Sequence, residues 1–283
     1  MTVRAALTLA LALFATPAAA QDTPAPPPPL LNAMFSDHAV LQRGQPVRVW
    51  GNAAPRARVT VTLASARRVV RADSAGAWSA TLPAMSAGGP YELTARTPGA
   101  SQTASDVMVG DVYLCSGQSN IEFSVRGALN GAFEASRAND TNIRHMRIEQ
   151  RAIGEPQTNF ANAPPWQVAS PETVPGFSAA CYFMARELRR TIDVPMGLVT
   201  SAWGGSNIRA WVSQPTLRTV GQWNQALDML ALHQRDPLAG EAAWGEMAEA
   251  VVRAQLLGVR PALASGSRRE LDRRRAERHL GRR

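Results

Sequence analysis

Lysine is absent from this chain: all 30 of its basic side chains are arginine. A choice that uniform reads as genomic base composition rather than as function. The formal charge of +8 suggests a nucleic-acid partner until it is located. Residues 268–283 hold eight arginines against Glu270, Asp272 and Glu277, so five of the eight net charges lie in that tail. The rest of the chain is close to balanced and has no basic face interleaved with aromatics, which argues against nucleic-acid binding. Histidine is scarce. His38, His145, His233 and His279 are scattered, without the paired spacing that metal ligands show. There are two cysteines, Cys115 and Cys181. An oxidising compartment permits a bridge between them. Cys115 lies in an apolar strand run, however, and Cys181 in an apolar helical pattern, where small buried thiols are common. The reading leans to two unpaired thiols and leaves the bridge open. No apolar run is long enough to span a bilayer.

The N-terminus has the parts of a secretion signal. Arg4 starts it, Ala5 to Ala15 form a short apolar stretch, and Ala18-Ala19-Ala20 make a small-residue cleavage site before Gln21. Residues 1–20 are expected to be removed, leaving a secreted or periplasmic protein with no stable membrane insertion. Residues 21–30 include Pro26-Pro27-Pro28-Pro29, a stiff extended linker. From 31 to 105 short stretches alternate at period two, among them Val47–Trp50, Val59–Leu63 and Ala77–Leu82. Gly44, Gly51-Asn52, Ser74-Ala75-Gly76 and Gly88-Gly89-Pro90 separate them. That spacing predicts a β-sandwich module. After Asp106 strands and helices alternate. Val107 to Cys115, Ile143 to Ile148 and Val194 to Thr200 read as strands, and Phe177 to Thr191 as an amphipathic helix. This is a mainly parallel α/β pattern, whose sites form at the carboxyl ends of strands.

Two loops occupy such positions. Ser116-Gly117-Gln118-Ser119-Asn120 follows the first strand. A serine on a tight turn there has an exposed hydroxyl and a free backbone N–H, a nucleophile and part of an oxyanion hole. Gly117 permits the turn; Gln118 and Asn120 either bind substrate or begin a helix. Ser201-Ala202-Trp203-Gly204-Gly205-Ser206-Asn207 follows a later strand. Its glycine amides could point into a cleft, with Ser206 or Asn207 adding a side-chain donor. Asn207 could equally be a turn or helix cap.

The run Gly110 to Glu122 resembles the nucleophile block of the secreted sialate O-acetylesterases and related carbohydrate acetylesterases, with Ile121 where Met is usual. Trp203 to Trp211 resembles their second block, with Ser206 and Arg209 where Thr and Glu are commoner. Met34-Phe35-Ser36-Asp37-His38-Ala39-Val40-Leu41-Gln42-Arg43 matches the opening of their β module. The resemblance spans about residues 32–215. It implies an SGNH-type hydrolase domain, a flavodoxin-like three-layer α/β/α sandwich over 106–260, preceded by the β-sandwich. It further implies Ser119 as nucleophile, an oxyanion site from Ser119, Gly205 and Asn207, and substrate contacts from Gln118, Asn120 and Ser206, with Gln118 and Glu122 shaping the sugar pocket or supporting the turn. The substrate would be O-acetylated sialic acid or another acetylated glycan, with no metal or cofactor.

The same resemblance calls for an Asp-x-x-His block that supplies the base, and none is present. His233 precedes Asp236 in reverse order, and His279 stands seven residues after Asp272. The Arg-rich stretch 261–283 has no family texture. The expectation is therefore a truncated or frameshifted, incomplete esterase domain of impaired activity, or a glycan-binding remnant of one.

Overall fold

The computed structural model describes residues 29–257, apart from 161, 163 and 222. The signal segment, most of the 21–30 linker, the 261–283 tail and His279 lie outside the described residues. The alternating stretches form strands: β1 Val40–Gln42, β2 Val47–Asn52, β3 Arg58–Leu63, β4 Ala66–Arg71, β5 Ala77–Leu82 and β6 Gly88–Thr97. In β5 the period-two pattern buries Trp78, Ala80 and Leu82 and leaves Ala77, Ser79 and Thr81 exposed. β2 and β5 pair antiparallel as a separate two-stranded sheet, while β4, β3 and β6 run in order into the large sheet. Val49, Trp78 and Leu82 of the small sheet share one core with Val61, Leu63 and Leu93 of the large one.

β7, Ala100–Gly117, continues without a break from this module to the expected nucleophile. Residues 100–109 pair antiparallel with β6, and residues 111–117 pair parallel with β10, Met196–Ala202. The boundary expected between 105 and 106 thus falls inside a strand. Asp106 has φ +53°, and the ladder with β6 shifts register nearby, so the chain turns from one sheet environment to the other there. The Met34–Arg43 segment seals this seam. Asp37 accepts the Ser105 N–H at 2.7 Å, and His38 Nδ1 lies 2.7 Å from Asp106 Oδ2. Gln42 accepts the Val112 N–H at 2.8 Å. Arg43 grips Asp111 through Nε at 2.8 Å and Nη2 at 3.0 Å, and its hydrogen bonds hold the Asp111 carboxyl below its ordinary pKa.

The α/β part adds β8 Ile143–Arg147 and a short antiparallel β9 Trp166–Val168, giving the order β7-β10-β8-β9. A flavodoxin-like order would put the first strand between the next two. Here β10 takes the place between β7 and β8, which departs from the expected order. Gly110 explains the contact: a Cβ there would lie 1.9 Å from the Pro195 carbonyl oxygen, so glycine lets the lead-in to β10 press against β7.

Helices cover one face of this sheet. α1 Ser119–Glu122, α2 Gly131–Ser136 and α3 Ala179–Leu188 lie on the side where Cys115, Ile143, Met196 and Leu198 are buried with Phe177 and Tyr182. α3 is capped by Ser178, whose Oγ accepts the Cys181 N–H. On the opposite face Met146, Val199 and Trp166 join the β-module core. Of the three layers expected, the described residues therefore supply one helical layer and the sheet, with the β module covering the other face. α4 Gln214–Val220, α5 Asn224–Arg235 and α6 Pro237–Leu256 complete the described chain. None of these helices is long and apolar enough to cross a membrane.

The leaning towards unpaired thiols is corrected. Cys115 and Cys181 form a disulfide across a Cα separation of 6.4 Å. Both side chains are buried, as expected, but they face each other between β7 and the first turn of α3.

Candidate active site

β7 ends at Gly117, whose φ of +148° is rarely adopted by a residue with a side chain. Two residues later Ser119 opens α1, exposed at the carboxyl end of the sheet. Its Oγ lies 3.4 Å from Gln118 Oε1, its only side-chain hydrogen bond among the described residues. As the first residue of a helix it has a backbone N–H without an intrahelical acceptor. Gln118 and Asn120 are exposed on either side.

β10 ends beside it. The Trp203 N–H donates to the Gly117 carbonyl at 3.0 Å, tying the two strand ends together. The Ser206 N–H donates to the Trp203 carbonyl at 3.3 Å and closes a tight turn in which Gly205 has φ +77°. Gly204 packs on the serine: a Cβ there would stand 3.7 Å from both Cα and Cβ of Ser119. The two loops singled out in the sequence thus meet. The Gly205 N–H makes no hydrogen bond among the described residues.

Glu122 holds them together. One turn after Ser119 on α1, it accepts Arg147 Nη2 at 3.0 Å and Gln150 Nε2 at 2.6 Å on Oε1, and the Gly204 N–H on Oε2. One carboxylate so fixes the serine turn, the glycine turn and the loop after β8. The resemblance implies that Glu122 shapes the sugar pocket or supports the turn, without naming its partners. Its place three residues after Ser119 put it on the same helical face, which is the signal that was available.

One expected substrate contact, Ser206, and one expected oxyanion donor, Asn207, have other partners. Ser206 Oγ donates to the Trp203 carbonyl at 2.6 Å and accepts Trp211 Nε1 at 2.8 Å, so it braces its own loop. Asn207 caps the helical turn Ile208–Trp211, its Oδ1 accepting the Arg209 N–H at 3.2 Å. Its side-chain amide alone is left as a donor.

None of the described histidines bonds to Ser119. His38 pairs with Asp106, and His233 Nδ1 meets the Pro237 carbonyl at 3.2 Å. His145 Nε2 meets Thr200 Oγ1 at 2.8 Å while its ring stacks on Phe177 at 4.4 Å, leaving Nδ1 without a partner. Burial, with Arg147 nearby, lowers its pKa to about 4. It is a neutral core side chain at pH 7.

Behind the Gly204 turn a cavity of about 690 Å³ opens between the β module and the 148–162 loop, with Trp50, Trp203 and Trp211 among its lining residues. Trp50 comes from β2, and no motif in the sequence linked it to the site.

Residues 109–240 match the family model described as "Carbohydrate esterase, sialic acid-specific acetylesterase". A crystal structure of a carbohydrate acetylesterase from Xanthomonas citri is 39% identical with a TM-score of 0.65, covering 67% of this chain and 43% of its own. The sialate O-acetylesterase of Mus musculus is 27% identical over 230 residues, 74% of this chain and 42% of that protein. That of Homo sapiens is 33% identical over 191 residues, 61% and 36% respectively. The chain spans less than half the length of each of these relatives. Over residues 109–240 the chain is similar to the sialic acid-specific acetylesterases among the carbohydrate esterases.

Proposed function

We propose that this chain carries the nucleophile half of a secreted, SGNH-type serine esterase that removes O-acetyl groups from sialic acid or related glycans, and that its turnover is impaired. The observation that carries the reading is the contact between Ser119 and the Gly204-Gly205 turn, fixed by Glu122. Ser119 Oγ attacks the acetyl carbonyl carbon, and the negative charge that develops on the carbonyl oxygen faces the amides of Ser119 and Gly205. Each such donor contributes about 3 kcal/mol to the transition state in serine hydrolases. Collapse of the adduct breaks the bond to the sugar oxygen, which leaves with a proton, and water then releases acetate from the acyl-serine.

The step that limits the reaction is removal of the Ser119 proton. Its acceptor is normally an imidazole, and no described histidine is hydrogen-bonded to the serine. Without one, turnover falls on the order of 10⁶-fold below a complete triad, and the oxyanion donors retain a residual rate. The test is acetate release from O-acetylated sialic acid and from an aryl acetate, with Ser119→Ala alongside. The reading expects slow release from both that Ser119→Ala abolishes; equal rates for the two proteins would refute it. A second reading, a glycan binder without turnover, is favoured by the cavity behind the Gly204 turn.

A further inference from the structure

We infer that the 690 Å³ cavity is a subsite for a neutral saccharide unit, adjacent to the acetylated unit that Ser119 would attack. The inference rests on the glycan-esterase reading above and extends it to the neighbouring sugar. The volume falls within the range of small-molecule sites, and the lining has their composition, aromatic surface with a few polar groups.

Three of the chain's seven tryptophans line this one cavity. Two are held through the ring and the third through its backbone. Trp50 packs edge-on against Phe35 at 4.6 Å, Trp211 is anchored through Nε1 on Ser206, and the Trp203 backbone is tied to Gly117. Fixed aromatic faces carry negative quadrupole charge and attract the weakly positive C–H face of a pyranose. Little side-chain entropy is lost on binding to Trp50 and Trp211, whose rings already have fixed partners.

The charges decide which sugar. Glu149, Glu155 and Arg151 are the ionisable residues of the lining, two carboxylates against one guanidinium. An acidic sugar placed here would meet net repulsion, whereas a neutral one meets hydrogen-bonding groups without that cost. The place relative to the nucleophile is fixed by the chain itself. Trp203 lines the cavity and directly precedes Gly204, which packs on Ser119. An occupant therefore lies next to the acetylated unit on one continuous glycan.

Binding is measured on Ser119→Ala protein, so the result does not depend on whether Ser119 turns over. Saturation-transfer NMR and tryptophan fluorescence are read with xylotriose, lactose and maltotriose as neutral probes and free N-acetylneuraminate as the acidic one. The expected result is binding of at least one neutral probe, tighter than N-acetylneuraminate, and weakened at least tenfold by adding Trp50→Ala. Trp50→Met, which keeps the packing against Phe35 but removes the flat ring, serves if the alanine variant does not fold. Absence of binding by all three neutral probes, or tighter binding of N-acetylneuraminate that Arg151→Ala abolishes, would overturn the inference.

Discussion

At the scale of the residue, Glu122 decides whether the two halves of the proposed site stay in contact. Its partners are 25, 28 and 82 residues away in sequence, so nothing local in the text could name them. Ser119 and Gly205 were legible because a turn after a strand demands those residue types where they stand. Glu122→Ala leaves the Gly204 amide and Arg147 without their acceptor. The expected cost is on the order of tenfold to hundredfold in Ser119-dependent acetate release, with partial recovery in Glu122→Gln. Circular dichroism separates this from unfolding, and an unchanged rate would remove Glu122 from the positioning role.

His145 sets an acid limit at the same scale. Its folded pKa of about 4 lies below the ordinary 6.5, so the unfolded chain takes up a proton that the folded chain refuses. The stability is complete above pH 6.5 and is lost as pH falls from about 6.5 to about 4. The contribution is about 3 kcal/mol. Urea midpoints between pH 4 and 7 should fall with pH in the parent and less steeply in His145→Phe; parallel curves would contradict the assignment.

At the scale of the element, β7 carries the fold's organisation. Its period-two and apolar stretches made most strands readable, yet its continuity across residue 106 was not. A strand that changes partners shows no break in hydrophobicity; it shows a turn residue such as Asp106, which in sequence reads as a boundary. The strand order was hidden for a similar reason. Pairing of β10 with β7 depends on the close approach of Pro195 to Gly110, a tertiary contact. The disulfide links β7 to α3 four residues before Ser119, closing a loop with a sequence separation of 66. A loop of that size stabilises by roughly 4 kcal/mol through the unfolded chain. Reduction, or the double variant Cys115→Ser/Cys181→Ser, should lower the thermal midpoint by several degrees. An unchanged midpoint would mean that the bridge does not form in the isolated protein.

At the scale of the whole molecule, the face of the sheet opposite the helices is closed by the β module, but one edge is open. Beyond Val112, β7 is paired by β10 alone among the described residues, and Leu114 on it is 70% exposed. A strand with free N–H and C=O groups and an apolar side chain is a template for self-association. Leu114→Lys is expected to raise the concentration at which light scattering appears, with little change in acetate release; equal scattering would place the sticky surface elsewhere.

Chemical rescue tests whether a serine and an oxyanion turn stand in register with no imidazole bonded to the serine among the described residues. Acetate release is followed for the parent and Ser119→Ala as imidazole is added, and the Ser119→Ala rate is subtracted to remove hydrolysis by free imidazole. The account predicts a slow Ser119-dependent rate that rises with imidazole concentration. A fast rate that imidazole leaves unchanged, and that His233→Ala or His279→Ala lowers, would contradict it.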